Sequence, residues 1–429
     1  MQYKQLDTNV FLIETHFKGV FIIFFPLQKK AFWTKDISQK DIIMIYDNYL
    51  KSEKISNFEI EQKINYILNS YQNEIYHNDL ETNYFDRAVI LLTDMCNMGC
   101  RYCYSKDTRF YKNTLSMNKI TKVVDMILDN NSDRKKCFTF LGGGEPTIQW
   151  ELLKESIEYI RDKGGLMNVS IGIQTNGTLI GADKIVWIKE HKVNVGCSFD
   201  VLPHIQNKQR PFLQGDTESF NSVDDCIKTM LREGIIPSIR TTITADCCSL
   251  MPEMIRFLAK EYKGVNQVHF EHVSAKGLNW ANYYKCFYSS FYVAKRIAKR
   301  YGIVLNNSTI KSLDVLRNQF CSGELCVAPN GDIIACHRVS SKNNMYFDEY
   351  NYGLVNDDGI YINKNKLHDI CNHYKRYIKE ECNYCFGKYH CAGQCFYNKL
   401  LYSNEEFNEL CKFTQEMMLR ELEEILEIQ

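Results

Sequence analysis

Between Ala88 and about residue 310 the chain alternates short apolar runs with amphipathic segments, six times in succession. The apolar runs Val89–Thr93, Cys137–Leu141, Val169–Gln174, Val193–Phe199, Ile236–Thr242 and Val268–Val273 have strand length. Ile120–Leu128, Leu152–Ile160 and Val223–Leu231 carry a helical period between them. Strands that return through helices lie parallel, in an open sheet or one curled into a partial barrel. Ligands and reacting groups of such sheets gather at the C-terminal ends of the strands. At that end of the first strand stands TDMCNMGCRYCYS, with Cys96, Cys100 and Cys103 in the spacing Cys-x3-Cys-x2-Cys.

Three thiolates this close suit a cubic iron–sulfur cluster and leave one iron without a protein ligand, free to bind a small molecule. In a chain with 18 Cys among 429 residues the pattern is expected by chance about 0.03 times, so the motif carries weight. Structural zinc is the competing reading, but zinc takes four ligands that close its site, and no Cys or His follows within thirty residues.

After about residue 310 the alternation stops and cysteine density rises. Cys382, Cys385, Cys391 and Cys395 follow Cys-x2-Cys-x5-Cys-x3-Cys, a pattern expected by chance about 0.001 times. Asn330-Gly331 is a hairpin-turn dipeptide between the short strand candidates Cys326–Ala328 and Asp332–Ala335. That hairpin brings Cys321 and Cys336 to one end, and Cys411 lies on a helix expected over Asn404–Gln429. Seven thiols here exceed one zinc site and nearly complete two four-thiolate clusters, with two zinc sites or buried structural thiols as the alternatives. Cys137, Cys197, Cys226, Cys247, Cys248, Cys286 and Cys371 are read as core or incidental.

Lys+Arg and Asp+Glu both number 52, so no global charge draws the chain to nucleic acid or an anionic membrane. The polar start and the lack of an eighteen-residue apolar stretch point to a cytoplasmic protein with no membrane partner, where cysteines serve metals rather than disulfides. Residues 1–85 read as a small α+β unit. Asn9–Thr15, Gly19–Phe25 and Ala31–Thr34 are strand candidates. Ser38 is an N-cap for a helix through Ile42, Ile45, Tyr46 and Tyr49, and a second helix carries Ile64, Ile67, Leu68 and Tyr71.

Together these features resemble the radical S-adenosylmethionine superfamily, in its SPASM-domain peptide- and protein-modifying branch, over roughly residues 88–415. The resemblance implies a partial (β/α)6 barrel over 86–310, preceded by the α+β module (1–85) and followed by a cysteine-rich SPASM domain (311–429). It implies S-adenosylmethionine at the open iron of a 4Fe-4S cluster on Cys96, Cys100 and Cys103, with backbone near Tyr102 meeting the adenine. Gly143-Gly144-Glu145-Pro146 resembles the GGEP segment whose carboxylate takes the cofactor's ammonium. Asn176, in Gln174-Thr175-Asn176-Gly177, and Ser198, in Ser198-Phe199-Asp200, resemble groups near its ribose and methionyl part. Arg210 resembles an arginine that pairs with its carboxylate.

By the same resemblance two auxiliary 4Fe-4S clusters sit on Cys321, Cys336 and Cys395 and on Cys382, Cys385, Cys391 and Cys411. The fourth ligand of the first is either Cys326 or absent. The implied chemistry is hydrogen abstraction by a 5′-deoxyadenosyl radical, fed by an external flavodoxin- or ferredoxin-like donor, inside a barrel expected to be apolar. The implied substrate is a ribosomally made precursor peptide with a leader, crosslinked through thioether or carbon–carbon bonds, its leader docking on the N-terminal module beside Phe21, Phe24 and Trp33. Sulfatase-maturating relatives usually carry Asp after the Cys equivalent to Cys336. This chain has His337, which argues against formylglycine formation. That reaction remains one alternative, and a non-catalytic electron carrier or redox sensor another.

Overall fold

The computed structural model describes residues 2–53, 55, 57–70, 72–75, 85–108, 111–130, 133–215, 218–275, 277–321, 323–376 and 378–428. Tyr71 and Gln429, assigned above to helices, lie outside them. Four strands open the chain: β1 (Tyr3–Asp7), β2 (Val10–Glu14), β3 (Val20–Phe25) and β4 (Lys30–Lys35), antiparallel in that order. The polar run of β1 gave no strand signal in the sequence. Ser38 caps α1 (Gln39–Leu50) as expected, accepting from Asp41 N at 3.2 Å, and α2 (Phe58–Leu68) follows.

Alternation along the strands sends Val10, Leu12, Ile23 and Phe25 to one face, against Ile42, Ile45, Ile60 and Ile64 of the two helices. Phe11, Ile13, Ile22 and Phe24 take the other face, against Phe386, Met418, Leu419 and Leu422. The module is therefore docked on the C-terminal region. Phe21 points toward the helices, Phe24 away from them, and Trp33 is exposed, so the three aromatic residues expected to share one groove do not.

The parallel part comprises β5 (Arg87–Ile90), β6 (Lys136–Phe140), β7 (Val169–Thr175), β8 (Asn194–Ser198), β9 (Ser238–Ile243), β10 (Gln267–His272) and the added β11 (Val304–Asn306). Between them run α3 (Met117–Leu128), α4 (Trp150–Gly164), α5 (Ala182–Glu190), α6 (Pro203–Gln209), α7 (Phe220–Arg232), α8 (Met251–Glu261) and α9 (Trp280–Arg300). The hairpin of β12 (Cys326–Val327) and β13 (Asp332–Ile334) does not stand apart. Its β12 pairs in parallel with β5, Cys326 opposite Val89, and β14 (Asn351–Val355) and β15 (Ile360–Ile362) extend the sheet to eleven strands.

Phe138, Phe140, Ile171, Ile173, Val195, Ile239, Val268 and Phe270 are buried on the helix-covered face. The alternate positions, Thr139, Gln174, Ser198, Arg240, Thr242 and Glu271, form the concave face and are partly or fully exposed. The barrel interior is thus largely polar, contrary to the apolar lumen expected, because the helices claim most apolar sides of the strands, Val89 beside Thr139 being an exception.

A terminal helix, Asn404–Ile425, closes the molecule, its Ser403 and Glu406 forming a capping box. The β2–β3 turn is held to it by His16, whose Nε2 lies 2.8 Å from Glu416 and Nδ1 2.9 Å from Glu423. Hydrogen bonds to Glu416 and then Glu423 push the imidazole pKa up to about 9. A raised pKa stabilises the fold fully below the unfolded value of about 6.5 and loses that contribution as pH climbs through the folded value. We predict that the thermal midpoint falls between pH 7 and 9.5 and that His16→Asn removes part of this fall. An equal deficit of the variant at pH 6 and pH 9.5 would refute it.

Candidate functional site

The loop carrying Cys96, Cys100 and Cys103 leaves β5 at its C-terminal end and is gripped from two sides. On one side, Gly144 N donates to Thr93 O and Glu145 N to Met95 O, both at 2.8 Å. On the other, Gly99 N donates to Pro211 O (2.7 Å), Arg101 N to Gln209 O (2.9 Å) and Leu213 N to Asn97 O (3.0 Å). The glycines admit this approach. A Cβ on Gly144 would lie 1.9 Å from Met95 O, and one on Gly142 would lie 2.5 Å from the Tyr104 hydroxyl.

Glu145 is 3% exposed and accepts four hydrogen bonds: Thr147 N (3.1 Å), Thr147 Oγ1 (2.6 Å), Thr175 Oγ1 (2.7 Å) and Asn176 N (2.7 Å). Burial still raises its pKa, and no described cation approaches it. A buried carboxylate satisfied by hydrogen bonds yet short of positive charge fits an incoming ammonium. Asn176 in turn donates from Nδ2 to Asn97 Oδ1 at 2.9 Å, tying the end of β7 to the cysteine loop.

Ser198 accepts from Gln174 Nε2 at 2.9 Å on the concave face. Tyr102 donates to Asp200 Oδ2 at 2.6 Å. Arg210 is buried, its Nε 3.1 Å from Asp200 Oδ2 and its guanidinium 5.2 Å from the Tyr102 ring. The neighbouring cation on the concave face is Arg240 of β9, in register between Ser198 and His269. Among the described residues its guanidinium has neither ion pair nor hydrogen bond, so it is the group free to meet a carboxylate. No motif marks Arg240. Only its inward place in the strand alternation does.

The thiols fall into three sets. Burial, then the charges of Glu145, Cys100 and Cys103, push the Cys96 thiol up to about 12. Cys336 is raised by burial and then by Cys395, with Cys321 also bearing on it. Cys391 is raised by burial and then by Cys385, Cys411 and Cys382. These are the groupings the resemblance implies. Among the described residues no three His, Cys, Asp or Glu side chains close on a point that one ion would fill. Three or four thiols to a set suit a multi-iron cluster, whose binding displaces the thiol protons. Cys197, Cys226, Cys247, Cys248 and Cys371 are buried, in keeping with core thiols, whereas Cys137 and Cys286 are partly exposed.

Residues 90–253 match the radical SAM superfamily. The chain is 30% identical over 193 residues to an uncharacterised protein of Methanocaldococcus jannaschii, 44% of this chain and 63% of that relative, so it spans under two thirds of that protein's length. It is 24% identical over 339 residues to a cysteine-type anaerobic sulfatase-maturating enzyme of Clostridium novyi, 71% of this chain and 86% of the enzyme. Among solved structures, native anSMEcpe with bound AdoMet and the Kp18Cys peptide superposes with a TM-score of 0.66 at 19% identity, covering 80% of this chain and 99% of that one. Streptococcus suis SuiB bound to precursor peptide SuiA superposes with a TM-score of 0.54 at 13% identity, covering 94% and 98%.

Gly144→Ala should destabilise the protein by about 2 kcal/mol, since the methyl meets backbone that cannot yield. It should also lower iron uptake on anaerobic reconstitution. A thermal midpoint and iron content equal to those of the unaltered protein would show that the glycine loop does not brace the cysteine loop.

Proposed function

We propose that this chain, whose residues 90–253 match the radical SAM superfamily, modifies a ribosomally made peptide, most simply by a thioether or carbon–carbon crosslink. The observation that carries the reading is the cysteine loop clamped beside a buried carboxylate that lacks a cation, at the C-terminal ends of a parallel sheet. When bound there, the cluster and S-adenosylmethionine supply reductive generation of a hydrogen-abstracting radical.

The chain's own residues bind, orient and shield. Glu145 takes the cofactor's ammonium, Asn176 holds the ribose side of the site against the cysteine loop, and Arg240 takes the carboxylate in place of Arg210. Cys321, Cys336 and Cys395 form one auxiliary cluster site, and Cys382, Cys385, Cys391 and Cys411 a second. An external flavodoxin- or ferredoxin-like protein delivers electrons.

Residues 1–85 are the leader-docking module in this reading. The outer edge of β4 is unpaired among the described strands and opens on a cavity of about 640 Å³ between α2 and the terminal helix, with Lys29, Lys30 and Lys63 among its lining. An extended peptide adds naturally to such an edge. The similarity to SuiB, which covers this module as well, supports a precursor peptide as substrate. Formylglycine formation is the second reading, favoured by the extent of the likeness to the C. novyi enzyme. Product mass separates the two: loss of two hydrogens per crosslink against formylglycine's own change.

Under strong reductant the reconstituted protein should release 5′-deoxyadenosine, and Cys96→Ala should abolish it. A parent protein that makes none would leave an electron carrier as the better description. Arg240→Met should weaken S-adenosylmethionine binding about tenfold, the value of one modest ion pair, in calorimetry on the loaded protein. Unchanged affinity would remove Arg240 from the cofactor's site.

A further inference from the structure

Cys321, Cys336 and Cys395 provide three donors, and the hairpin decides what stands beside them. Cys326 is fully buried in the apolar core, opposite Val89 and Ile334, and the charges bearing on its thiol are those of Glu324 and Cys336, not Cys321 or Cys395. Glu324 is placed otherwise. Its backbone N donates to Ala335 O and its carbonyl accepts from the Tyr352 hydroxyl, each at 2.9 Å, fixing it across the hairpin from the residue before Cys336. Its charge is the largest influence on Cys321 after burial, and it bears on Cys336 as well.

Within the carboxylate, Oε2 is held by His337 twice, from the backbone N at 3.2 Å and by Nδ1 at 2.8 Å. Oε1 has no hydrogen bond among the described residues. Gly323 N, next in the chain, donates to Cys321 Sγ at 3.4 Å, so a carboxylate pinned through one oxygen by an imidazole, with the other free near the Cys321 and Cys336 thiols, has the arrangement of a metal ligand and its supporting partner.

We propose that the Glu324 carboxylate is the fourth, oxygen ligand of the cluster held by Cys321, Cys336 and Cys395, with His337 as the positioning residue that orients it. The proposal rests on the reading above only in taking those thiols to hold a cluster. A carboxylate gives iron less electron density than a thiolate and matches it less well in softness. The cluster should therefore have a higher reduction potential than its all-thiolate form and exchange this ligand more readily.

The test uses the full-length chain, anaerobically reconstituted, carrying Cys96→Ala, Cys100→Ala and Cys103→Ala so that only auxiliary clusters contribute. Electron paramagnetic resonance and redox titration then compare this parent with Glu324→Cys, Glu324→Ala and Cys326→Ala. Glu324→Cys should keep the iron and sulfide content and shift one cluster's potential downward. Glu324→Ala should alter one cluster's g values and make them respond to added imidazole, while Cys326→Ala should leave the spectrum unchanged. Unchanged g values and potentials in Glu324→Ala would overturn the proposal, as would a change confined to Cys326→Ala. If Glu324→Ala loses iron, its recovery in Glu324→Cys supports ligation and its loss in both refutes it. Cofactor cleavage by the chain with Cys96, Cys100 and Cys103 intact is a separate readout, so failure of this ligand and failure of the proposed activity are told apart.

Discussion

The buried Glu145 carboxylate is the constraint on which the site depends. Its hydrogen bonds come from its own turn and from the end of β7, and its backbone is bonded to the start of the cysteine loop. Two strand ends and the cysteine loop therefore share one ionisable group. Burying a carboxylate without a cation is unfavourable, and a fold that keeps one there gains most when a cation arrives. The glycines beside it follow from the same need, because side chains would keep the glycine loop from closing on Met95 O.

The division of the sheet into an apolar outer face and a polar lumen follows from helix coverage. Apolar side chains on the strands are consumed by α3 to α9, so the concave face is left to Gln174, Ser198, Arg240 and Glu271. Such a lumen suits a polar cofactor and a peptide backbone better than an apolar one would.

The three regions are also more closely joined than a linear reading implies. β12 extends the barrel sheet past β5, so the hairpin that sets Cys336 in place is continuous with the strand that launches Cys96. The ring of Tyr104, one residue after Cys103, meets His337 at 5.7 Å, across the same junction. The N-terminal sheet touches the second C-terminal thiol set through Tyr3, whose ring lies 5.2 Å from Phe386, and through Phe24 stacked on His390. A peptide engaged at β4 would thus sit on the element that holds those thiols.

Much of this was legible in the sequence. Period-2 and period-3.6 patterns set the six parallel strands and their helices, because burial on a helix-covered sheet imposes those periods locally. Cysteine spacing marked ten thiols, which the family resemblance divided into three sets, and the Ser38 cap and the Asn330-Gly331 turn are local chemistry that stands as read. What the sequence could not supply depended on pairing between distant segments. The polar run of β1 became a strand only because β2 offered an edge. Arg210 lies buried against Asp200 and the Tyr102 ring, while Arg240 stands on the concave face of β9. Cys326 went to the core while Glu324 remained beside the thiols. Side-chain partners across the fold are chosen by which groups the packed backbone brings within hydrogen-bond reach, and no local pattern encodes that distance.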